Sequence, residues 1–264
     1  MENAEQPHFE QIRLDAHDGV AFITLNRPDK INSLTIQMHR ELRAAIDLVE
    51  RDHMHRVLIL AGSGRGFCAG QDLADPETNL DRIGEILDQH YNALVMRLRQ
   101  LPIPVIAAVH GVAAGAGASI ALAADLTLAE RNTRLTQAFV RIGLLPDAGG
   151  TWFLARRLGQ QRAMGLALTG ETITGEQAEH MGLIWRACDD GTVHAQALAL
   201  AQHLRGLPRQ ALAEIKQAIQ QAADNRLEEQ LQVERSAQVR LGATEDFAEG
   251  IAAFRDKRPP RFRP

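Results

Sequence analysis

Apolar and polar positions alternate in two stretches near the start of the chain, residues 9–14 and 20–26, and each reads as a strand. Asp18-Gly19 between them is a dipeptide that closes a two-residue hairpin. The run Asn26-Arg27-Pro28-Asp29-Lys30 breaks the alternation. Thr35 then caps a helix whose apolar stripe is Met38, Leu42, Ala45, Ile46 and Val49. Residues 56–60 are almost wholly apolar, which predicts a short strand covered on both faces. A long amphipathic helix is predicted over 81–101, ended by Pro102 and Pro104. Residues 105–109 predict another buried strand, a helix begins at about 116, and 125–129 and 134–136 predict two further strands.

From about Gly159 onward the pattern is mainly helical. A short helix starts at Glu176-Gln177-Ala178 and a last strand is expected over 183–187. Helices over 193–205, 209–223, 227–240 and 244–255 follow, and the chain ends in a basic tail. The elements cycle as strand-strand-helix rather than alternating strictly. This favours an α/β superhelix of short strands over a doubly wound sheet. The expected division is a core over 1–200 and a helical region over 201–264. The apolar stripes of those last helices exceed what a small region can bury, so they cover the core or meet another subunit.

Glycines cluster after the buried strands. Residues 62–73 hold Gly62, Gly64, Gly66 and Gly70, and residues 111–117 hold Gly111, Gly115 and Gly117 just before an apolar helix. Small residues at a strand-to-helix turn let the backbone approach a ligand closely, and the start of the new helix favours a negative oxygen. The same residues would equally suit the packing of a buried helix. A dinucleotide fingerprint fits poorly, because Ile120 stands where its third glycine belongs and Asp125 comes too early to hold a ribose. A third glycine loop, 143–150, carries one carboxylate, Asp147. An anion cradle beside a lone acid on a stiff loop points to enolate chemistry, provided the two lie side by side.

The 264 residues suffice for a sizeable core, and a hydrophobic content of 45% with 23% charged residues is ordinary for a globular chain. A net charge of −4 gives no nucleic-acid footprint. No apolar run is long enough to span a bilayer, and the first thirty residues do not read as a signal peptide. Cys68 and Cys188 are isolated, so neither a metal nor a redox motif is expected, and a cytoplasmic location is. The ten histidines form no metal-binding motif, and Ser119 has no nucleophile elbow around it, so it is read as a helix residue lining the pocket.

Five ordered motifs resemble those of the crotonase, or enoyl-CoA hydratase/isomerase, family. They are Asn26-Arg27-Pro28 with Asn32-Ser33-Leu34, the loop 66–73, the segment 110–117, the loop 145–152, and Ala253-Phe254-Arg255-Asp256-Lys257-Arg258. The resemblance covers nearly the whole chain. It implies a spiral of ββα units whose C-terminal helices build a homotrimer, often paired into a hexamer. It also implies an acyl-CoA substrate, with no cofactor beyond the coenzyme A carried in the thioester, and no metal, membrane or nucleic acid.

Carried over residue by residue, the resemblance gives the thioester oxygen two backbone donors, the N–H groups of Gln71 and Ala116. Ala116 stands where many relatives have glycine, which is tolerable if its φ is negative. Lys30, Ser33, Ala69, Gln71, Asp72, Leu73, Phe254 and Lys257 are implied contacts of coenzyme A, the last two to a neighbour's ligand. Asp72 serves equally as a loop anchor, and an exposed lysine equally as a solvated charge. Tyr91 and Asn92 are implied to shape the acyl pocket, or simply to pack a helix.

Family hydratases add water with two glutamates, and the matching positions here are Ser119 and Phe139. Asp147 remains as acid and base, with Phe139 and Leu145 expected to supply an apolar surround. The implied activity is an acyl-CoA isomerase that shifts a double bond or rearranges a ring epoxide through an enolate. The alternatives are a hydratase-like activity, an aryl-CoA dehalogenase with Asp147 as nucleophile, and a coenzyme A-binding relative without catalysis.

Overall fold

A computed structural model describes residues 8–262 of the chain, so the outermost residues of both expected regions lie outside the described residues. The first strands, β1 (Ile12–His17) and β2 (Val20–Leu25), pair antiparallel. Asp18 and Gly19 both take positive φ, 50° and 74°, as the tight turn that matches strand twist requires. The helix α1 (Ile36–Arg51) starts as expected, with the Thr35 hydroxyl accepting the Met38 N–H at 3.0 Å. The strand β3 (Val57–Gly62) is buried along its whole length.

The predicted helix over 81–101 is not uniform. It consists of α2 (Ile83–Ile86), a π-helical turn (Leu87–Asn92) and α3 (Ala93–Gln100). Then come β4 (Val105–Val109), β5 (Val112–Ala114), α4 (Ala116–Ala123), β6 (Leu126–Glu130) and β7 (Arg134–Thr136). The helices α5 (Gly150–Leu158) and α6 (Gln160–Thr169) precede β8 (Thr172–Thr174), α7 (Gly175–Met181) and β9 (Arg186–Cys188). The last strand thus begins later than expected. Leu183 and Ile184 are apolar because they plug the core ahead of it.

The strands form two sheets. One has the order β1-β2-β3-β4-β6-β9, parallel from β2 onward, and the other has the order β5-β7-β8. The pairs β4–β5 and β6–β7 each place one strand in the larger sheet and the next in the smaller one, whereas β1, β2 and β3 belong to the larger sheet alone. Along β3 the side chains divide between the two faces of the larger sheet. Leu58 and Leu60 join the central core, while Val57, Ile59 and Ala61 pack with Val193, Ala197 and Ala201. Those last three lie on α8 (Val193–Arg205), which covers the outer face of the sheet. The expected boundary at 200/201 falls inside this helix.

The remaining helices are α9 (Arg209–Ala222), α10 (Leu227–Gly242) and α11 (Glu245–Arg255). Lys216 ties α9 to the core, reaching Asp125 at 2.8 Å and the carbonyls of Leu98 and Ile103. The helices α10 and α11 leave Leu227, Leu231, Val239, Phe247 and Phe254 exposed. Among the described residues no helix is long and apolar enough to cross a membrane.

Candidate active site

The loop 66–73 runs between Leu34 and β5. Leu34 donates to the Gly70 carbonyl at 2.8 Å and accepts the Asp72 N–H at 2.9 Å, so Gln71 pairs with it as in a parallel ladder. On the other side, Cys68 donates to Val112 at 3.0 Å and accepts from Ala114 at 2.9 Å. This double pairing leaves the Gln71 N–H pointing away from Leu34, without an acceptor among the described residues. Ala116 opens α4, and its N–H also has no acceptor there, as expected for the first residue of a helix. Its φ is negative, as the alanine requires.

Close approach brings the two donors together. A Cβ on Gly70, whose φ is +97°, would sit 2.9 Å from the Ala114 oxygen and 3.7 Å from the Ala116 nitrogen. A Cβ on Gly117 would strike the Cys68 carbonyl at 2.6 Å. Only glycine fits at either place, so the Gly70–Gln71 segment packs closely on the start of α4.

A polar scaffold fixes the loop. Asn32 is fully buried, accepts the Arg27 N–H at 2.8 Å and donates to the carbonyls of Ser63, Gly66 and Phe67. Arg27 donates to the Ser33 carbonyl at 2.6 Å and meets Asp72 at 2.9 Å, while the Ser33 hydroxyl donates to Asp72 at 3.2 Å. Ala74 N–H closes the same carboxylate from the far side at 3.1 Å. Ser33 and Asp72, expected as ligand contacts, are thus engaged within the chain as anchors of the loop. Sequence reading missed Arg27 and Asn32 in this role; their place in the first motif was the available signal.

Asp147 lies on the loop that leads into α5. A Cβ on Gly150 would meet the Ser119 Oγ at 2.7 Å, the Pro146 Cβ at 3.0 Å and the Gln137 Oε1 at 3.5 Å. The loop therefore docks directly on α4, the helix that Ala116 begins. Ser119 is sealed beneath Gly150 and does not line the pocket. The Phe139 ring packs against Gly115 instead, 3.6 Å from where a Cβ would stand.

Asp147 Oδ1 is buried and has no hydrogen-bond partner among the described residues. Burial raises the carboxyl pKa from its ordinary 3.8 to about 6, offset in part by the residue's own N–H. Phe139 and Ala148 contribute buried apolar surface here, whereas Leu145 is 71% exposed and does not. Ala148 takes φ +49°, uncommon for a residue with a Cβ, so the loop holds Asp147 at some local cost.

Of the other implied contacts, Lys30, Ala69 and Leu73 stand exposed around the first loop, and the Ala69 N–H to Ile31 carbonyl bond of 2.9 Å keeps the Lys30 turn against it. Phe254 and Lys257 sit at the far end of α11, exposed, and no hydrogen bond or ion pair joins them to that loop. Among the described residues no group of three or more His, Cys, Asp or Glu side chains is placed to hold a metal ion.

Comparison with known proteins identifies the family. The family model described as enoyl-CoA hydratase/isomerase matches residues 15–264. The chain is 48% identical over 248 residues to the 1,2-epoxyphenylacetyl-CoA isomerase of Escherichia coli K12, covering 92% of this chain and 95% of that protein. It is 35% identical to the trans-2-decenoyl-[acyl-carrier-protein] isomerase of Streptococcus mutans, covering 96% and 98% of the two chains. The crystal structure of an enoyl-CoA hydratase from Bacillus anthracis superposes with a TM-score of 0.91 at 31% identity, covering 96% and 99%.

Proposed function

The chain belongs to the enoyl-CoA hydratase/isomerase family, and on that premise we propose that it isomerises an acyl-CoA thioester through an enolate held by Gln71 and Ala116. The observation that supports this reading is the partly buried Asp147 carboxylate, whose Oδ1 has no partner among the described residues, on a loop docked against α4, the helix that the acceptor-free Ala116 N–H begins. The thioester oxygen accepts both N–H bonds, which acidifies the hydrogens beside the carbonyl. Asp147 takes one of these protons, the electron pair moves onto the oxygen, and the enolate is stabilised where its charge forms. Losing one such donor typically costs about 2.7–4 kcal/mol of barrier. The carboxylic acid then returns the proton to another carbon, so a double bond moves with no net change in composition. For an epoxide on the ring carbon next to the α-carbon, the enolate electron pair forms a double bond to that ring carbon as its carbon–oxygen bond breaks, and the released alkoxide takes the proton back from Asp147, so composition is again unchanged.

No cofactor enters this scheme, because coenzyme A arrives as part of the substrate. Lys30, Ala69 and Leu73 form its rim on one subunit, and Phe254 and Lys257 act on a neighbour's ligand in a trimer or a pair of trimers. The exposed apolar side chains of α10 and α11 support that assembly. We place the enzyme in the cytoplasm, a reducing compartment that suits two free buried cysteines.

Incubating the purified protein with a 3-enoyl-CoA tests the reading. The expected result is formation of the conjugated 2-enoyl thioester. Binding without turnover would instead indicate a relative that has lost catalysis.

A further inference from the structure

A groove runs between α3, α5 and α9, outside the candidate active site. It consists of two cavities of about 460 Å³ each, and Arg99, Trp152 and Gln220 line both. None of Gln71, Ala116 and Asp147 lines either one. Cavities of this size take small organic ligands. The walls are largely apolar, with Leu212, Ile215 and Ile219 in the first and Val95, Met96 and Phe153 in the second.

The charge of the groove is one-sided. Arg99, Arg156, Arg157 and Lys216 line the first cavity together with a single carboxylate, Asp125. That carboxylate is bonded to Lys216, and Arg156 is paired with Asp224. Arg157 donates to the carbonyls of Leu122, Ala124 and Leu183. Arg99 is half-buried, and its side chain has no hydrogen bond or ion pair among the described residues. Its guanidinium instead lies over the rings of Trp152 and Phe153, at 5.3 and 5.8 Å from their centroids. Two guanidiniums therefore share an apolar groove without a carboxylate of their own. They oppose each other: burial and then Arg99 lower the Arg157 pKa from 12.5 to about 10, while Asp125 acts the other way. Both stay charged at neutral pH, and a bound anion offsets the cost of drawing such charges out of water.

We propose that this groove is a second binding site, for a small organic carboxylate whose anionic end is received by Arg99 and whose apolar body lies on the walls. The ring contacts of Arg99 leave its planar fork available to two carboxylate oxygens. One uncommitted fork on apolar walls matches a planar monoanion with a hydrocarbon body. The site stands apart from the thioester chemistry and does not depend on it.

Calorimetric titration of the intact protein with 4-phenylbutyrate and with its neutral amide tests it. The acid should bind with a Kd of about 1 mM or tighter, and the amide at least about tenfold more weakly, the size of one hydrogen bond to a charged group. Arg99→Gln should weaken binding of the acid by at least about tenfold as well. Arg99→Lys, which keeps the charge without the fork, should fall between. An amide that binds the wild type as tightly as the acid overturns the assignment whether or not a variant folds. An acid affinity unchanged in Arg99→Gln overturns it too. So does a wild type that binds neither compound; if Arg99→Gln then lowers the mass measured by light scattering, the groove is a contact between copies of the chain instead.

Discussion

The Arg27 guanidinium meets the Asp72 carboxylate at 2.9 Å, one residue beyond the backbone donor Gln71. The pair is mostly shielded from solvent, and Ser33 bonds to both partners. Its consequence is geometric: the peptide that presents the Gln71 N–H cannot rotate without breaking a charge-assisted bond.

Asp72→Asn should therefore lower kcat by about tenfold, a fraction of the hundredfold or more attached to losing an oxyanion donor outright. Affinity for an unreactive acyl-CoA should change much less. Arg27→Lys keeps the charge but loses the planar fork, so it should fall between wild type and Asp72→Asn. A fall in affinity equal to the fall in kcat would show that Asp72 holds the ligand rather than the loop.

Hydration of crotonyl-CoA should be negligible beside isomerisation. Ser119 is sealed under Gly150, and Phe139 fills the second position with an aromatic ring, so no pair of acids can hold and split a water molecule. Loss of the conjugated-thioester absorbance at a rate matching isomerisation would contradict this. Ser119→Glu should not create the activity, because the longer side chain must displace Gly150; it should lower the unfolding temperature instead.

Much of the fold was legible because its strands are buried on two faces and read as apolar runs, as β3 and β4 do. The features that escaped have physical reasons. A π-helical turn leaves no periodic trace in a pattern expected for a helix, so the register that places Tyr91 was invisible. The strands β5 and β8 are three residues long and too short to show alternation. Leu183 and Ile184 were apolar for burial, not for pairing. At the candidate site, the glycines of the loop 62–73 and the single acid of the loop 143–150 stood out by residue type. The Arg27–Asp72 pair did not, because its partners are far apart in sequence and meet only through the fold.

Removing one member of the Asp125–Lys216 pair should be among the most damaging single changes away from the site. The Lys216 ammonium sits 2.8 Å from Asp125 and also donates to Leu98 and Ile103, while Asp125 accepts the Val105 N–H at 2.8 Å. Asp125→Ala leaves that ammonium buried without its counter-charge and should cost about 3–5 kcal/mol. Urea unfolding at fixed protein concentration measures it. The double variant Asp125→Leu/Lys216→Met should recover part of the loss; a single variant as stable as wild type would show that the pair is not coupled to folding.

Light scattering at micromolar concentration should give a mass three or six times the 29.0 kDa of the chain. The motive is the apolar surface left open on the last helices, where Leu227 is 74% and Phe254 84% exposed. Phe247→Asp should shift the mass downward. A stable wild-type monomer would refute the assembly and leave Phe254 and Lys257 without a neighbour's ligand to touch.

Asp147 unites the chemistry and the stability of the site, and the two respond oppositely to pH. Its pKa of about 6 reflects burial of the charged form, so the base is fully available only above that value. The isomerisation kcat/KM should rise through pH 6 and level above it. Asp147→Asn should lower turnover by at least about a hundredfold, the low end of general acid–base contributions, and abolish exchange of the α-proton in deuterated water. Binding should change little, because the donors proposed for the thioester, Gln71 and Ala116, are backbone groups that the substitution leaves in place. The stability sign is reversed. A carboxyl pKa raised in the folded state contributes stability below its ordinary 3.8, and that contribution is lost as pH rises through about 6. At pH 8 the ionised side chain is therefore a burden of at most about 3 kcal/mol, from some two pH units at 1.36 kcal/mol each. The Asn variant should be the more stable protein there, with the gap closing towards pH 4. If Asp147 merely shaped the turn before Gly149, asparagine would serve nearly as well, and activity and exchange would both survive the substitution.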